Sequence, residues 1–135
     1  MSQRPTRGER NANPMNLRRT GTRWVGMAEK QTDEYVTFTD PAYGIRAGAK
    51  VLLTYQRKHK LRTVSRIINR WAPPHENATT NYINFVAQKL GVDPEERIDV
   101  ENRDTLTKLV KAIIRFENGR CIYSDATIRS GVALA

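Results

Sequence analysis

Leu106, Val110 and Ile113 recur at helical spacing, and continuing that period places Glu117 eleven residues, about three turns, beyond the first of them. An acid therefore falls on an otherwise apolar stripe. It also falls in the last turn of the predicted helix, where the negative end of the helix dipole and removal from water both disfavour the ionised carboxylate. A carboxylic acid kept protonated is what a glycosidase needs to protonate a leaving glycosidic oxygen. The competing reading is structural: Glu117 pairs with Arg115, Arg120 or another arginine and stabilises the helix end.

Other residues have two uses open to them. The side chains of Asn11, Asn13 and Asn16 form Asx-turns or hydrogen-bond sugar hydroxyls and acetamido groups. Tyr82 begins the apolar face of its helix, so it is either core with a satisfied hydroxyl or part of a cleft. Trp24 and Trp71 are able to stack on sugar faces, but Trp71 completes an apolar stripe and reads as core. His59 and His75 read as surface residues. Possible second carboxylates are Asp40, Glu76 and Asp125. In a hydrolase such a partner lies about 5 to 5.5 Å from the acid when configuration is retained and about 6.5 to 9.5 Å when it is inverted.

The segment Ala112-Ile113-Ile114-Arg115-Phe116-Glu117-Asn118-Gly119 resembles the helix end that carries the catalytic glutamate of lysozyme-like enzymes, with asparagine where lytic transglycosylases and glucosaminidases have serine. Arg10-Asn11-Ala12-Asn13-Pro14-Met15-Asn16-Leu17-Arg18 resembles the opening of a family of small phage virion and lysis proteins. Within that family the chain is also similar at Phe38 to Ala47, at Ile67 to Asn77, at Tyr82 and at Tyr123-Ser124-Asp125. Ala12 and Met15 replace the family's usual asparagine and glycine. The same blocks resemble a circularly permuted bacterial glucosaminidase pattern, with the glutamate moved from first place to last. The resemblance implies a lysozyme-like α fold with a short β element, Glu117 and Tyr82 as catalytic residues, and substrate contacts from Arg10, Asn11, Asn13, Asn16, Trp24, Asn118, Gly119 and Tyr123. It also implies a virion protein that acts on bacterial peptidoglycan in the host periplasm, in company with other virion proteins. No cofactor and no metal are expected.

These residues need elements to hold them. Residues 1–30 are rich in arginine, asparagine and proline and read as an extended arm, with 1–9 flexible and only Trp24 and Val25 as anchors. Alternation over Glu34 to Thr39 predicts a strand. Helices are predicted from about Tyr43 to Lys58, from Val64 to Trp71 stopped by Pro73-Pro74, from near Thr79 to a C′ residue at Gly91, from a cap at Asp104 to Gly119, and from Ser124 or Asp125 onward.

With 135 residues the chain suits one domain spanning 1–135. It is 39% apolar, carries a net charge of +9 and has a pI near 10.1, so its favoured partners are anionic. Eight of its basic residues and no acid lie between Pro41 and His75. One cysteine and two histidines give neither a disulfide scaffold nor a zinc-ligand set. No apolar run approaches the roughly 18 residues of a membrane span, and no signal peptide is read at the N-terminus. The readings are then a glycan-strand-cleaving enzyme, a non-catalytic virion protein of the same fold, and, ranked last for want of a recognition motif, a nucleic-acid-binding module.

Overall fold

The computed structural model describes residues 4–75 and 78–135. Its elements are helices: α1 (Arg7–Arg10), α2 (Pro41–Arg57), α3 (Val64–Trp71), α4 (Thr79–Leu90), α5 (Arg103–Asn118) and α6 (Asp125–Ala133). Most of them are bounded as their sequences dictate. Asp40 caps α2 by accepting from the Ala42 N–H, Thr63 caps α3 and Ser124 caps α6, while Gly91 and Gly119 take the left-handed conformation after α4 and α5. The cap of α5 is Asn102, whose side chain accepts from Thr105 N–H, and not Asp104, which lies in the first turn beside the positive end of the dipole.

Helix α2 packs on α6 and α4 packs on α5, around a core that contains Ile45, Leu52, Ile67, Ile68, Leu109, Ile113 and Ile128. Close approach of α2 and α6 rests on Gly131, where a Cβ would meet the Ile45 side chain at 2.6 Å. A second, smaller cluster of Val36, Phe38 and Ala47 gathers Trp24, Met27 and Tyr43 against the side of α2.

The strand expected over Glu34 to Thr39 is absent: the described residues contain only isolated antiparallel bridges, Arg18 to Tyr35, Met27 to Phe38 and Thr63 to Arg97. The cause lies in where the backbone groups go. Val36 N–H donates to Leu17 O, Phe38 N–H to Asn11 O and Thr39 N–H to Gly26 O, so the segment is shared among several partners and builds no ladder with any one.

The arm is more structured than its composition suggests. Thr6 and Glu9 form a reciprocal capping box around α1, one turn the sequence reading placed in extended chain. Its anchors differ in part from those expected: Trp24 packs on the second cluster, but Val25 is exposed, and Gly8, Asn13, Pro14 and Met15 are buried. Met15 fills the space over Gly48 of α2, where a Cβ would collide with its sulfur. The Asn13 amide donates to Leu17 O and Val36 O and its oxygen accepts from Leu17 N–H, tying the arm to the 34–39 segment from inside.

Candidate active site

Glu117 stands in the last turn of α5, half-buried, with a partner on each carboxylate oxygen. The Asn16 Nδ2 donates to Oε1 at 3.0 Å, across 101 residues of sequence, and the Tyr82 hydroxyl donates to Oε2 at 2.8 Å. Neither partner is an arginine. Arg120 instead turns to the arm and grips Glu9 with two hydrogen bonds of 3.0 and 2.6 Å, and that guanidinium holds the Glu9 carboxyl below its ordinary range.

Tyr82 is fully buried in α4, its ring stacked on Phe116 with centroids 3.9 Å apart. Burial, then the negative charge of Glu117, push its ionisation far above the ordinary tyrosine value, and Trp71 hydrogen-bonds to it. Tyr82 therefore stays protonated and serves Glu117 as a fixed donor from beneath. It is a positioning residue with no face on the cleft.

Asn16 is held as firmly. It adopts a left-handed backbone with φ of 54°, which asparagine tolerates better than most residues, and its N–H donates to Asn13 O. Asn118, the residue after the acid, fastens the neighbouring chain. Its Nδ2 donates to Pro14 O and Ile114 O, both at 2.8 Å, and its Oδ1 accepts from the Thr6 hydroxyl at 2.6 Å. Gly8 of α1 fits between these amides. A Cβ there would lie 2.8 Å from Asn118 Oδ1 and 2.9 Å from Asn16 Oδ1.

Above the carboxylate opens a cleft of about 340 Å³, lined by Glu117 and Asn16, by Trp24, Tyr35, Tyr55 and Trp71, and by Arg18 and Val51 among others. Aromatic walls with one acid and one amide at the floor suit a polyhydroxylated ring, which presents C–H faces and hydroxyl edges. Among the described residues Glu117 is the one carboxylate in the lining, and no group of three His, Cys, Asp or Glu is placed to hold a metal.

No family model matches the chain. It is 41% identical over 129 residues to protein P5 of Pseudoalteromonas phage PM2, a match that covers 93% of this chain and 79% of that protein. The chain belongs to the family of this phage protein. The match supports the phage protein family read from the separated sequence blocks, and no described helix of this P5-family chain is long and apolar enough to cross a membrane.

Of the positions singled out in sequence, the fold of this P5-family member brings together Glu117, Tyr82 and Asn16, with Trp24 on the cleft wall. Others are spent on holding the arm. Asn13 is an internal clasp, Asn11 donates to Asp33 at 3.2 Å, and Asn118 ties the arm to α5. Arg10 is exposed and bonds Pro5 O, and Gly119 is an exposed left-handed cap. Tyr123 is half-buried outside the cleft lining, with its hydroxyl pushed up to about 12 by burial and then by the charge of Glu9. Asp40 caps α2 and Asp125 pairs with Lys111, so neither lines the cleft; Glu76 lies outside the described residues.

The sequence reading missed Tyr35 and Tyr55 and assigned Trp71 to the core. Tyr35 had a usable signal, since its neighbours Val36 and Phe38 alternate inward and outward with it. Trp71 completes the α3 stripe and packs partly buried on the core as expected, and because α3 ends there its indole also reaches the cleft margin in a T-shaped pair with Tyr55.

Proposed function

We propose that this phage protein cleaves the glycan strands of peptidoglycan, with Glu117 as the general acid, as a virion-associated enzyme aiding wall penetration or lysis. The observation that carries the reading is the carboxyl group clamped between Asn16 and Tyr82 on the floor of an aromatic cleft. Such a clamp fixes which way the acid faces, and proximity with orientation is a large part of what an enzyme supplies. The resemblance of the α5 end to the glutamate-bearing helix of lysozyme-like enzymes points the same way.

A single acid in the cleft favours the lytic transglycosylase branch. Glu117 gives its proton to the glycosidic oxygen as the C1–O bond breaks. The 6-hydroxyl of the same sugar then bonds to C1 and returns its proton to the Glu117 carboxylate, leaving a 1,6-anhydro end. No second carboxylate is required.

Mass spectrometry of muropeptides released from purified cell walls tests both levels. Anhydro-ended products released by the wild type and lost in Glu117→Gln are expected. Reducing-ended products would move the protein to the hydrolase branch, and absence of release by the wild type would leave a non-catalytic virion component.

A further inference from the structure

The loop from Arg19 to Gln31 encloses a second concavity of about 660 Å³, larger than the cleft over Glu117. Both volumes lie within the range of about 300 to 1,000 Å³ typical of ligand sites. The two are contiguous, since Trp24 and Thr20 line both. Trp24 is thus a ridge between two hollows.

The loop hollow is preformed. Gly26, at φ of 81°, lies so close to Tyr43 of α2 that a Cβ would collide with the ring, which fixes the tip of the loop on the helical body. Gln31 brackets its base, donating to Ala28 O and Thr37 O and accepting from Thr37 N–H, all at 2.8 Å. Ala28 N–H donates to Thr37 O at 2.9 Å. Arg19, Thr20, Thr22 and Gln31 of the lining hold the loop together through their own hydrogen bonds, whereas Arg23 and Glu29 make no ion pair or side-chain hydrogen bond among the described residues. A rigid hollow with free hydrogen-bonding side chains and one indole on its rim is built for a polar ligand that continues past the indole.

We infer that the Arg19 to Gln31 hollow is a second saccharide-binding site, holding units of the same linear glycan that extend beyond the cleft over the Trp24 ridge. The inference rests on the glycan-cleaving reading and adds to it the recognition of chain length. Arg23 and Glu29 meet hydroxyl and acetamido groups of the extending units, and Trp24 stacks on the unit between the two sites.

The test is amide-resolved NMR titration of Glu117→Gln, which binds without cutting, with N-acetylglucosamine oligomers of two and six units. The dimer is expected to shift resonances around the cleft, at Asn16, Tyr35 and Val51. The hexamer is expected to shift in addition Gly21, Gly26 and Ala28, and to bind at least tenfold more tightly. Arg23→Ala combined with Glu29→Ala should remove the hexamer's advantage while leaving the dimer's affinity as it was. A hexamer that perturbs only the cleft, or a double variant that keeps the full advantage, overturns the second site and leaves the cleft's reading standing. Failure of both oligomers to perturb any residue overturns the glycan reading and the second site with it.

Discussion

Glu117→Gln keeps the size of the side chain and one accepting oxygen for Asn16, while its amide nitrogen donates to the Tyr82 hydroxyl where Oε2 accepted, and it has no acid proton to give. It should lower the rate of wall cleavage by about 10²- to 10⁴-fold, with a thermal transition close to that of the wild type. Muropeptide release and circular dichroism on the same preparation check this together. Tyr82→Phe removes the hydroxyl that donates to Oε2 and meets Trp71. It should cost about 1 to 3 kcal/mol of stability, because the Trp71 contact also loses its acceptor, and lower turnover about tenfold. Since Tyr82 stays protonated, the wild-type rate profile should carry no limb from its ionisation below pH 10. Gly8→Ala offers the sharpest steric test. One added methyl meets the carboxamide oxygens of Asn16 and Asn118 and the carbonyl of Asn13, and it should destabilise by about 1 to 3 kcal/mol while uncoupling Asn16 from the acid.

Among the elements, the arm and α5 are joined by Glu9 and Arg120, with the Glu9 side chain only 4% exposed. The folded state holds this carboxyl below the ordinary value of 4.5, so its contribution is complete above that pH and is lost as pH falls through the lowered value. Thermal melts should therefore show a steeper loss of stability on the acid side of pH 4.5 in the wild type than in Glu9→Gln, with the two curves converging at low pH. Equal slopes would mean that the pair holds nothing. Helices α2 to α6 were legible because their apolar residues recur beside a cap or a stop, as Pro73, Gly91 and Ser124 illustrate. Helix α1 was not, because four residues carry no period and its capping box precedes arginines in place of an apolar run. The false strand arose from a true alternation. Val36 and Phe38 do point inward, but alternation reports which face is buried and says nothing of whether one neighbour supplies all the hydrogen bonds. At the site, Glu117 was legible as the continuation of a helical stripe. That its partner would be Asn16 and not an arginine depended on a turn of left-handed backbone that no spacing rule announces.

At the level of the whole molecule, a charge of +9 should draw the protein to anionic walls, with an on-rate that falls as salt is added. Part of the basic run between Pro41 and His75 is already neutralised, since Arg57 pairs with Glu101 and Arg62 faces Asp99. The arm belongs to the site as much as the helices do. Removing residues 1–20 takes away Asn16, the Asn13 clasp and the Met15 plug together, and should abolish wall cleavage and lower the melting temperature. Release of muropeptides at the full-length rate by that truncation would show that the arm is only a tether.

The bond from Asn16 to Glu117 has a consequence for how the protein is made. Its two ends leave the ribosome 101 residues apart, which at about 5 to 20 residues per second is about 5 to 20 s of synthesis. For that interval the first half of the site exists without the second, and a nascent chain released early carries the arm and the aromatic walls but no acid. Incomplete products thus lack the clamped carboxylate, and the site is completed all at once when α5 closes on the waiting arm.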